Sequence, residues 1–405
     1  MSMRDQAKQR IRHMVDRIAL PYVEMLRAEI PPANAPGSPV VVEQRVPNGA
    51  TSDRFHMANH ELRTLELERV PKGARRALSV GAQGRWYFDW FERAVGPVDE
   101  HIGIEAFEEM PDDLPEYVTW IPDTADHMNG VATSSVDLVF AGQTTEHLWA
   151  DELSGFLLEA HRVLRPDGTL ALDSPNRLVT EHLHWSHGGH TVELSAAEMS
   201  ELLHLAGFEL LSTNGLWCCV VDGRRVELEE GLDNPSVFTR RAASGRHTPD
   251  DCFVWWINAR RLDRAPDEPR LRARVAELYE AHWNTRVCRG LFPASGANEV
   301  ALSPGTRGHI GETLPFPLHK GSWTITATLN RGAWSDLEDF RISIVAPGDQ
   351  LIHDLPAADG RVAGSSLQWH IEQPWLLFAL SIKIAIGTVR NEAALALPLD
   401  IRFDG

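Results

Sequence analysis

The sequence is poor in cysteine. Its 405 residues include four cysteines, of which Cys218 and Cys219 are adjacent and none forms a C-x-x-C pair. This pattern excludes a disulfide framework and a zinc ribbon, because both need several thiols at regular spacing. A reducing compartment is therefore expected, with Cys218 and Cys219 serving as small apolar residues of a buried strand.

Long apolar runs are also missing. No stretch of about 18 consecutive apolar residues occurs, which excludes an ordinary membrane-spanning helix. The first residues, MSMRDQAKQRIRHMVDRIALPYVEML, are interrupted by charge every few positions and lack the apolar segment of a signal peptide. We therefore expect a cytoplasmic protein.

Positive charge is in deficit. The chain has 39 lysines and arginines against 57 aspartates and glutamates, a formal net charge of −18. Such a surface repels phosphate backbones and anionic lipids, so the sequence predicts neither a nucleic-acid partner nor a membrane partner. A homo-oligomer is compatible with the composition.

The length of the chain predicts more than one domain, since a domain commonly has ~100–200 residues. Two amphipathic helical patterns, over 4–29 and near 56–70, suggest an N-terminal extension or lid. From residue 71 onward, short apolar runs alternate with helical segments. The predicted boundaries are 1–70 for the helical extension, 71–264 for an α/β domain, 265–285 for a linker helix and 286–405 for an antiparallel β-sandwich.

The α/β region predicts a doubly wound, Rossmann-like sheet of seven strands. One intervening helix is marked by an apolar stripe along 151–164, and another by a capping box of Ser195 and Glu198 with Gly207 as its stop. Beyond residue 286, alternating apolar residues between turn signals predict the sandwich. The seven strands are expected at 76–81, 101–107, 117–123, 136–142, 169–176, 208–221 and 252–262.

A glycine-containing turn, LSVGAQGRWYFDWF, follows the first predicted strand. In open α/β sheets a ligand binds beyond the carboxyl ends of the strands, and Gly81 and Gly84 would let the backbone approach it. An isolated GxxG is more often a plain strand-to-helix turn. Glu105 and Asp123, however, end the next two strands, where a carboxylate can bind a ribose or border an adenine. Nicotinamide dinucleotides and S-adenosylmethionine both satisfy this geometry.

Three later segments distinguish between these two cofactors. In order and spacing, SSVDLVFAGQTTEHLW, FLLEAHRVLRPDGTLALDSPNR and HTVELSAAEMSELLHLAGFELL closely resemble the later motifs of class I S-adenosylmethionine-dependent methyltransferases, of the type 11/23-like group. The resemblance extends over roughly residues 75–221. The sequence departs from the family at Ser79, where an acid is usual, and in the shortened GAQGR loop.

The resemblance implies S-adenosyl-L-methionine as cofactor and assigns residues to it. Members of the GAQGR turn would lie against the methionine moiety, the acid after the second strand would bind ribose, two residues after the third strand would border adenine, and two after the fourth would flank the cofactor on the substrate side. These residues are Gly81, Gln83, Gly84, Glu105, Asp123, Thr124, Gln143 and Thr144.

Histidines supply the candidate general bases. Imidazole titrates near neutral pH, so His147 in TTEHLW and His190 in EHLHWSHGGH are the catalytic candidates, although each could serve only in packing or capping. The EHLHWSHGGH stretch follows the fifth strand, in a loop that covers the active site in this fold. His184, Trp185 and His187, with Trp149 near the mouth, are the predicted substrate contacts.

Other roles for this loop stay open. A solvent-facing loop is one, and a metal site formed by His184, His187 and His190 is another, since their spacing of three would suit a helix. The two glycines disfavour a helix and no cluster of acids is present. No metal is therefore predicted.

The architecture predicts a methyltransferase that O-methylates a saccharide hydroxyl in glycan or sugar-nucleotide biosynthesis. The C-terminal tryptophans carry part of this inference, because those on an exposed sandwich face would suit carbohydrate recognition. One alternative is a methyltransferase of a small secondary metabolite. The other is a degenerate, non-catalytic binding protein that has lost the cofactor.

Overall fold

The computed structural model describes residues 52–291 and 298–404. The predicted helix over 4–29 lies outside these residues. The chain divides into two compact units. Among the described residues, the first unit comprises 52–185 and 190–282, and the second comprises 186–189 and the residues from 283 onward.

One seven-stranded sheet organises the first unit. Its order is β3-β2-β1-β4-β5-β9-β6, and all strands are parallel except β9, which is antiparallel to β5 and β6. The predicted doubly wound fold is therefore confirmed. The strands are β1 Arg76–Val80, β2 Glu100–Ile104, β3 Val118–Ile121, β4 Val136–Gly142, β5 Leu164–Pro175, β6 Phe208–Cys218 and β9 Cys252–Arg261, and a hairpin of β7 Val220–Val221 and β8 Arg224–Arg225 follows β6.

Strand order reverses between β1 and β4, because β1 pairs with β2 on one side and with β4 on the other. This reversal opens a crevice at the carboxyl ends of the central strands, where open α/β sheets bind their ligands. The helices are α1 Asp53–Leu67, α2 Gly84–Val95, α3 Ala150–Val163, α4 Arg177–His182, α5 Ala196–Leu205, α6 Pro235–Gly245 and α7 Glu268–Val287.

The core of the first unit is rich in aromatic rings. Phe140 of β4 stacks on Trp256 of β9 with a centroid distance of 5.6 Å, and Phe91 of α2 packs at 6.0 Å from Phe140. Trp255 and Trp256 are fully buried, and Cys218 and Cys219 are buried as the sequence predicts. Packing of this kind fixes the central strands, so their carboxyl ends are presented by a rigid sheet.

The second unit contains two antiparallel sheets, which confirms the predicted β-sandwich. One sheet has the order β10-β21-β13-β18-β17, with β22 beside β13, and the other has the order β11-β19-β15-β16, with β12 beside β19. Their strands are β10 Glu299–Leu302, β11 Gly308–Glu312, β12 Phe316–Leu318, β13 Gly321–Arg331, β15 Arg341–Ala346, β16 Gln350–Pro356, β17 Arg361–Ala363, β18 Ser366–Gln373, β19 Leu377–Ile386, β21 Ala393–Ala396 and β22 Asp400–Phe403, while β14 Leu337–Glu338 pairs with β20 Thr388–Val389.

The tryptophans of the second unit divide between core and surface. Trp323 and Trp369 are buried, whereas Trp375 is 70% exposed. The side chain of Gln373, itself buried, donates to the Trp375 carbonyl at 2.7 Å and anchors the backbone of this turn. An exposed aromatic face on an anchored turn is therefore present. Within the described ranges, no helix is long and apolar enough to cross a bilayer.

The capping box predicted for α5 is present. The Ser195 hydroxyl accepts the amide hydrogen of Glu198 at 3.3 Å, and the Glu198 carboxylate accepts the Ser195 amide hydrogen at 2.7 Å. Gly207 follows the helix with φ of +87°, a conformation that glycine adopts without strain. Local sequence therefore sets both ends of α5.

Replacing Ser195 by alanine is expected to lower the free energy of unfolding by ~1 kcal/mol, because the first turn of α5 loses its cap. Urea unfolding followed by circular dichroism measures the change. Ser200→Ala is the matched control, since the Ser200 hydroxyl only donates to the Ala196 carbonyl within the same helix. Equal effects of the two substitutions would show that the cap contributes nothing.

Candidate functional site

The turn after β1 has the backbone that the sequence predicts for a ligand-binding loop. Gly81 has φ of +72° and Gly84 has φ of +68°, and Gln83 between them is the N-cap of α2. The Gly81 amide donates to the Ile104 carbonyl of β2 at 2.9 Å, which holds the turn against the neighbouring strand. A Cβ at Gly81 would lie 3.3 Å from the Thr144 hydroxyl, so the turn also passes close to the end of β4.

The predicted acids follow their strands as expected. Glu105 comes directly after β2 and is 8% exposed, and its Oε1 accepts the amide hydrogens of Phe107 at 2.8 Å and Glu108 at 3.1 Å. These bonds orient the carboxylate in its own loop. Asp123 follows β3 and accepts the Thr124 amide hydrogen at 2.9 Å, so this pair also forms an ordered turn.

Gln143 and Thr144 complete the edge at the end of β4. The Thr144 hydroxyl donates to the Val80 carbonyl at 3.3 Å, which joins the ends of β4 and β1. Gln143 has φ of +57°, its amide hydrogen donates to the Asp173 carbonyl at 2.8 Å, and its side chain donates to the Asp173 carboxylate at 3.0 Å. The structure thus brings the residues after β1 and β4 together.

Ser79, which stands where the family usually has an acid, is fully buried. Its hydroxyl lies 2.8 Å from His101 Nε2 of β2. Burial lowers the pKa of His101 to about 3, so the imidazole is neutral. Ser79 and His101 therefore form a neutral hydrogen-bonded pair next to the glycine turn, at the position where the family usually has a charged acid.

A buried ion pair that sequence reasoning missed lies at the end of β5. The guanidinium of Arg63, on α1, donates to Asp173 through Nε at 2.7 Å and through Nη2 at 3.1 Å. The Asp173 carboxylate is fully buried, and the Arg63 side chain is 14% exposed. A Cβ at Gly142 would lie 2.7 Å from Asp173 Oδ1 and would also overlap Arg63 Nη2. Only glycine at the end of β4 leaves room for this pair.

Glu146 is the third residue that the sequence did not reveal. It occupies the short 3-10 turn Thr145–His147 after β4 and is 1% exposed. Burial, together with repulsion from the Asp173 carboxylate, raises the pKa of Glu146 to about 8. The carboxyl is therefore mostly protonated at neutral pH. A glutamate next to a histidine in a loop carries no pattern that predicts such burial.

The two catalytic candidates, His147 and His190, lie side by side. Their rings are perpendicular, with centroids 4.7 Å apart, and His147 is exposed whereas His190 is buried. His190 Nδ1 lies 2.9 Å from a Glu193 carboxylate oxygen, and the Thr180 hydroxyl donates to the other oxygen at 2.6 Å. In a neutral imidazole this contact places the proton on Nδ1. His190 is thus oriented by a buried carboxylate.

The predicted substrate contacts fall into two different units. His184, with φ of +49°, Trp185 and Trp149 belong to the first unit. The Trp185 ring is buried and packs at 5.0 Å against Phe253, and Trp149 is the N-cap of α3.

His187 belongs to the second unit, where its Nδ1 accepts the Gly189 amide hydrogen at 3.2 Å. Arg286 donates to the His187 carbonyl at 2.7 Å and to the Ser186 hydroxyl at 3.1 Å. The Ala379 amide donates to the Gly188 carbonyl at 2.9 Å. Residues 186–189 are therefore held within the second unit.

Within the first unit, the carboxyl edge of the sheet thus has two chemically different parts. Around β1, β2 and β3 it offers glycine backbone and an oriented carboxylate, which suit a ligand with hydroxyls. Around β4 and β5 it offers buried ionisable side chains, which can hold or accept a proton.

Comparison with known proteins agrees with this geometry. Residues 78–172 match the family model described as a methyltransferase domain. Over 91 residues the chain is 42% identical to a probable S-adenosylmethionine-dependent methyltransferase of Mycolicibacterium smegmatis and 38% identical to one of Mycobacterium tuberculosis. The match covers 21% of this chain in both cases, and 33% and 31% of the relatives. The matched segment therefore spans about a third of the length of these relatives.

Solved structures of methyltransferases also resemble this chain. One is a SAM-dependent methyltransferase from Archaeoglobus fulgidus, with 17% identity, coverage of 51% of this chain and 94% of that one, and a TM-score of 0.37. Another is from Mesorhizobium loti, with 13% identity, coverage of 51% and 100%, and a TM-score of 0.37. The strand order, rather than these scores, carries the fold assignment. The predicted resemblance to class I S-adenosylmethionine-dependent methyltransferases is confirmed over residues 78–172, and the strand order of the first unit is that of the predicted Rossmann-like sheet.

Proposed function

We propose that the chain is an S-adenosylmethionine-dependent methyltransferase that O-methylates a hydroxyl of a saccharide, in glycan or sugar-nucleotide biosynthesis. The observation that carries the proposal is the carboxyl edge of the sheet, where the Gly81–Gly84 turn and Glu105 converge within the segment that matches the methyltransferase family. The names of the matched relatives support the same cofactor.

The residues at this edge fit the cofactor. Gly81 and Gly84 have positive φ and no side chain, so their backbone can lie against a ligand. Glu105 is already oriented by two amide hydrogens of its own loop, which leaves its carboxylate suited to the two ribose hydroxyls. Asp123 and Thr124 would border the adenine, and Gln143 and Thr144 would flank the cofactor on the side of the acceptor.

The saccharide part of the proposal has separate support. The net charge of −18 disfavours anionic acceptors such as nucleic acid. The exposed ring of Trp375, on a turn anchored by Gln373, offers an aromatic face of the kind on which sugar rings stack. The cytoplasmic location, homo-oligomerisation and absence of a metal stay predictions from the sequence.

The cofactor pocket is tested by replacing Glu105 with glutamine. Loss of the charged hydrogen bonds to the ribose, worth about 1.5–3 kcal/mol, should weaken binding of S-adenosylmethionine and S-adenosylhomocysteine by roughly 10- to 100-fold. Isothermal titration calorimetry of the full chain measures both affinities.

The matched control is Glu109→Gln, which removes an exposed carboxylate of the same loop and should leave both affinities unchanged. Failure of the wild-type chain to bind either compound at millimolar concentration would overturn the proposal. The chain would then be a degenerate binding protein, for which the replacement of the usual acid by Ser79 would be the leading cause.

A further inference from the structure

The Glu146 carboxyl is buried at the carboxyl edge of the sheet. Glu146 is buried, yet neither of its oxygens makes a hydrogen bond of good geometry with any residue in the described ranges. The Ser174 hydroxyl lies near this carboxyl but donates to the Pro175 carbonyl at 3.4 Å. Because a buried polar group without a partner destabilises the folded chain, a partner of another kind is expected.

The surroundings of Glu146 define that partner. Asp173 is already satisfied by Arg63 and by the Gln143 side chain, and this ion pair is neutral as a whole. Glu146 is protonated in most molecules at neutral pH, since its pKa is about 8. The charges of Arg63 and Asp173 therefore cancel beside a neutral Glu146, and these three groups favour an uncharged ligand that both donates and accepts hydrogen bonds.

We propose that Glu146 binds the acceptor hydroxyl and takes its proton during methyl transfer. The proposal rests on the methyltransferase function proposed above and assigns to that site a general base other than His147 or His190. Arg63 and Gln143, which both bond Asp173, are the part-exposed members of the cluster, whereas Glu146 is buried.

The proton balance of the reaction is complete with this assignment. As the acceptor oxygen forms its bond to the methyl carbon, the bond between that carbon and the sulfonium sulfur breaks, and its electron pair stays on sulfur as the thioether of S-adenosylhomocysteine. The oxygen then loses its hydrogen, and the Glu146 carboxylate takes up that proton. No further reactant is needed.

The charged and titratable groups around Glu146 bring its pKa close to the working pH of a base. Asp173 of β5, Glu193 before α5, Arg63 of α1 and Tyr279 of α7 all interact with it electrostatically. The two carboxylates and the burial raise its affinity for a proton far above that of an exposed glutamate. A base is most effective when its pKa lies near the working pH.

Activity should depend on this residue and on pH together. Glu146→Gln keeps the shape of the protonated carboxyl and is expected to lower kcat at about pH 8 by roughly 100-fold or more, the usual contribution of a general base. In the wild-type chain kcat should rise from about pH 6 to about pH 9 as Glu146 ionises, and this rise should be absent in the variant.

The probe is methyl α-glucoside, a neutral pyranoside, with radiolabelled S-adenosylmethionine as the methyl donor. Glucosamine and glucuronate are the charged counterparts and should react more slowly. Asp151→Asn, which changes an exposed carboxylate on α3, is the matched control and should resemble wild type in both rate and pH profile. A pH profile of Glu146→Gln that parallels that of wild type would overturn the assignment.

Thermal stability provides a readout that does not require turnover. The folded chain keeps the Glu146 proton up to about pH 8, whereas the unfolded chain releases it near 4.5, so this residue makes folding less favourable as the pH rises between these values. Melting temperatures of wild type and Glu146→Gln should agree near pH 4.5, and the variant should melt at the higher temperature at pH 8.

The outcomes separate the two proposals. A constant difference in melting temperature across this range would show that Glu146 does not hold a proton in the folded chain and would overturn its role as base. If S-adenosylmethionine binds but methyl α-glucoside neither reacts nor shifts the melting temperature of wild type, the acceptor assignment is wrong while the cofactor site stands. If S-adenosylmethionine does not bind, the proposed function itself fails.

Discussion

The ion pair between Arg63 and Asp173 is the interaction on which the acceptor side of the site depends. It joins α1 to the carboxyl end of β5 and fills the space that Gly142 leaves at the end of β4. Breaking a buried pair by removing one partner typically costs 3–5 kcal/mol, because the remaining charge has no water to solvate it. The pair therefore fixes α1 and Asp173 in one arrangement, and Asp173 in turn orients Gln143 and shifts the proton affinity of Glu146.

Strands and helices with strong local signals could be predicted from the sequence. The apolar run of β4 and the capping box of α5 appear where their residues predict them, since a strand of seven residues and a reciprocal cap are both local properties. The turn of Gly81 and Gly84 was also predictable, because positive φ is a property of glycine itself. The long β5, which begins at Leu164, was predicted too short because its first residues look like a helix end.

The charge cluster could not be predicted, for physical reasons. Arg63 and Asp173 are separated by 110 residues, and nothing in a sequence shows which of many arginines reaches which aspartate. Glu146 directly precedes His147 in the sequence, yet the Glu146 side chain is buried and the His147 side chain is exposed. The reason is that adjacent residues of a tight 3-10 turn point in different directions. Burial and pairing depend on tertiary packing, which periodicity does not encode.

The ion pair of Arg63 and Asp173, for which Gly142 leaves room, limits how far the protein can be shortened. The segment that matches the methyltransferase family, residues 78–172, begins after α1 and stops one residue before Asp173. A chain cut to those limits would lose both ends of the ion pair, and a chain cut at β1 would keep a buried aspartate without its arginine. The smallest piece that can be isolated in its native form is therefore larger than the recognisable domain, and it must include α1.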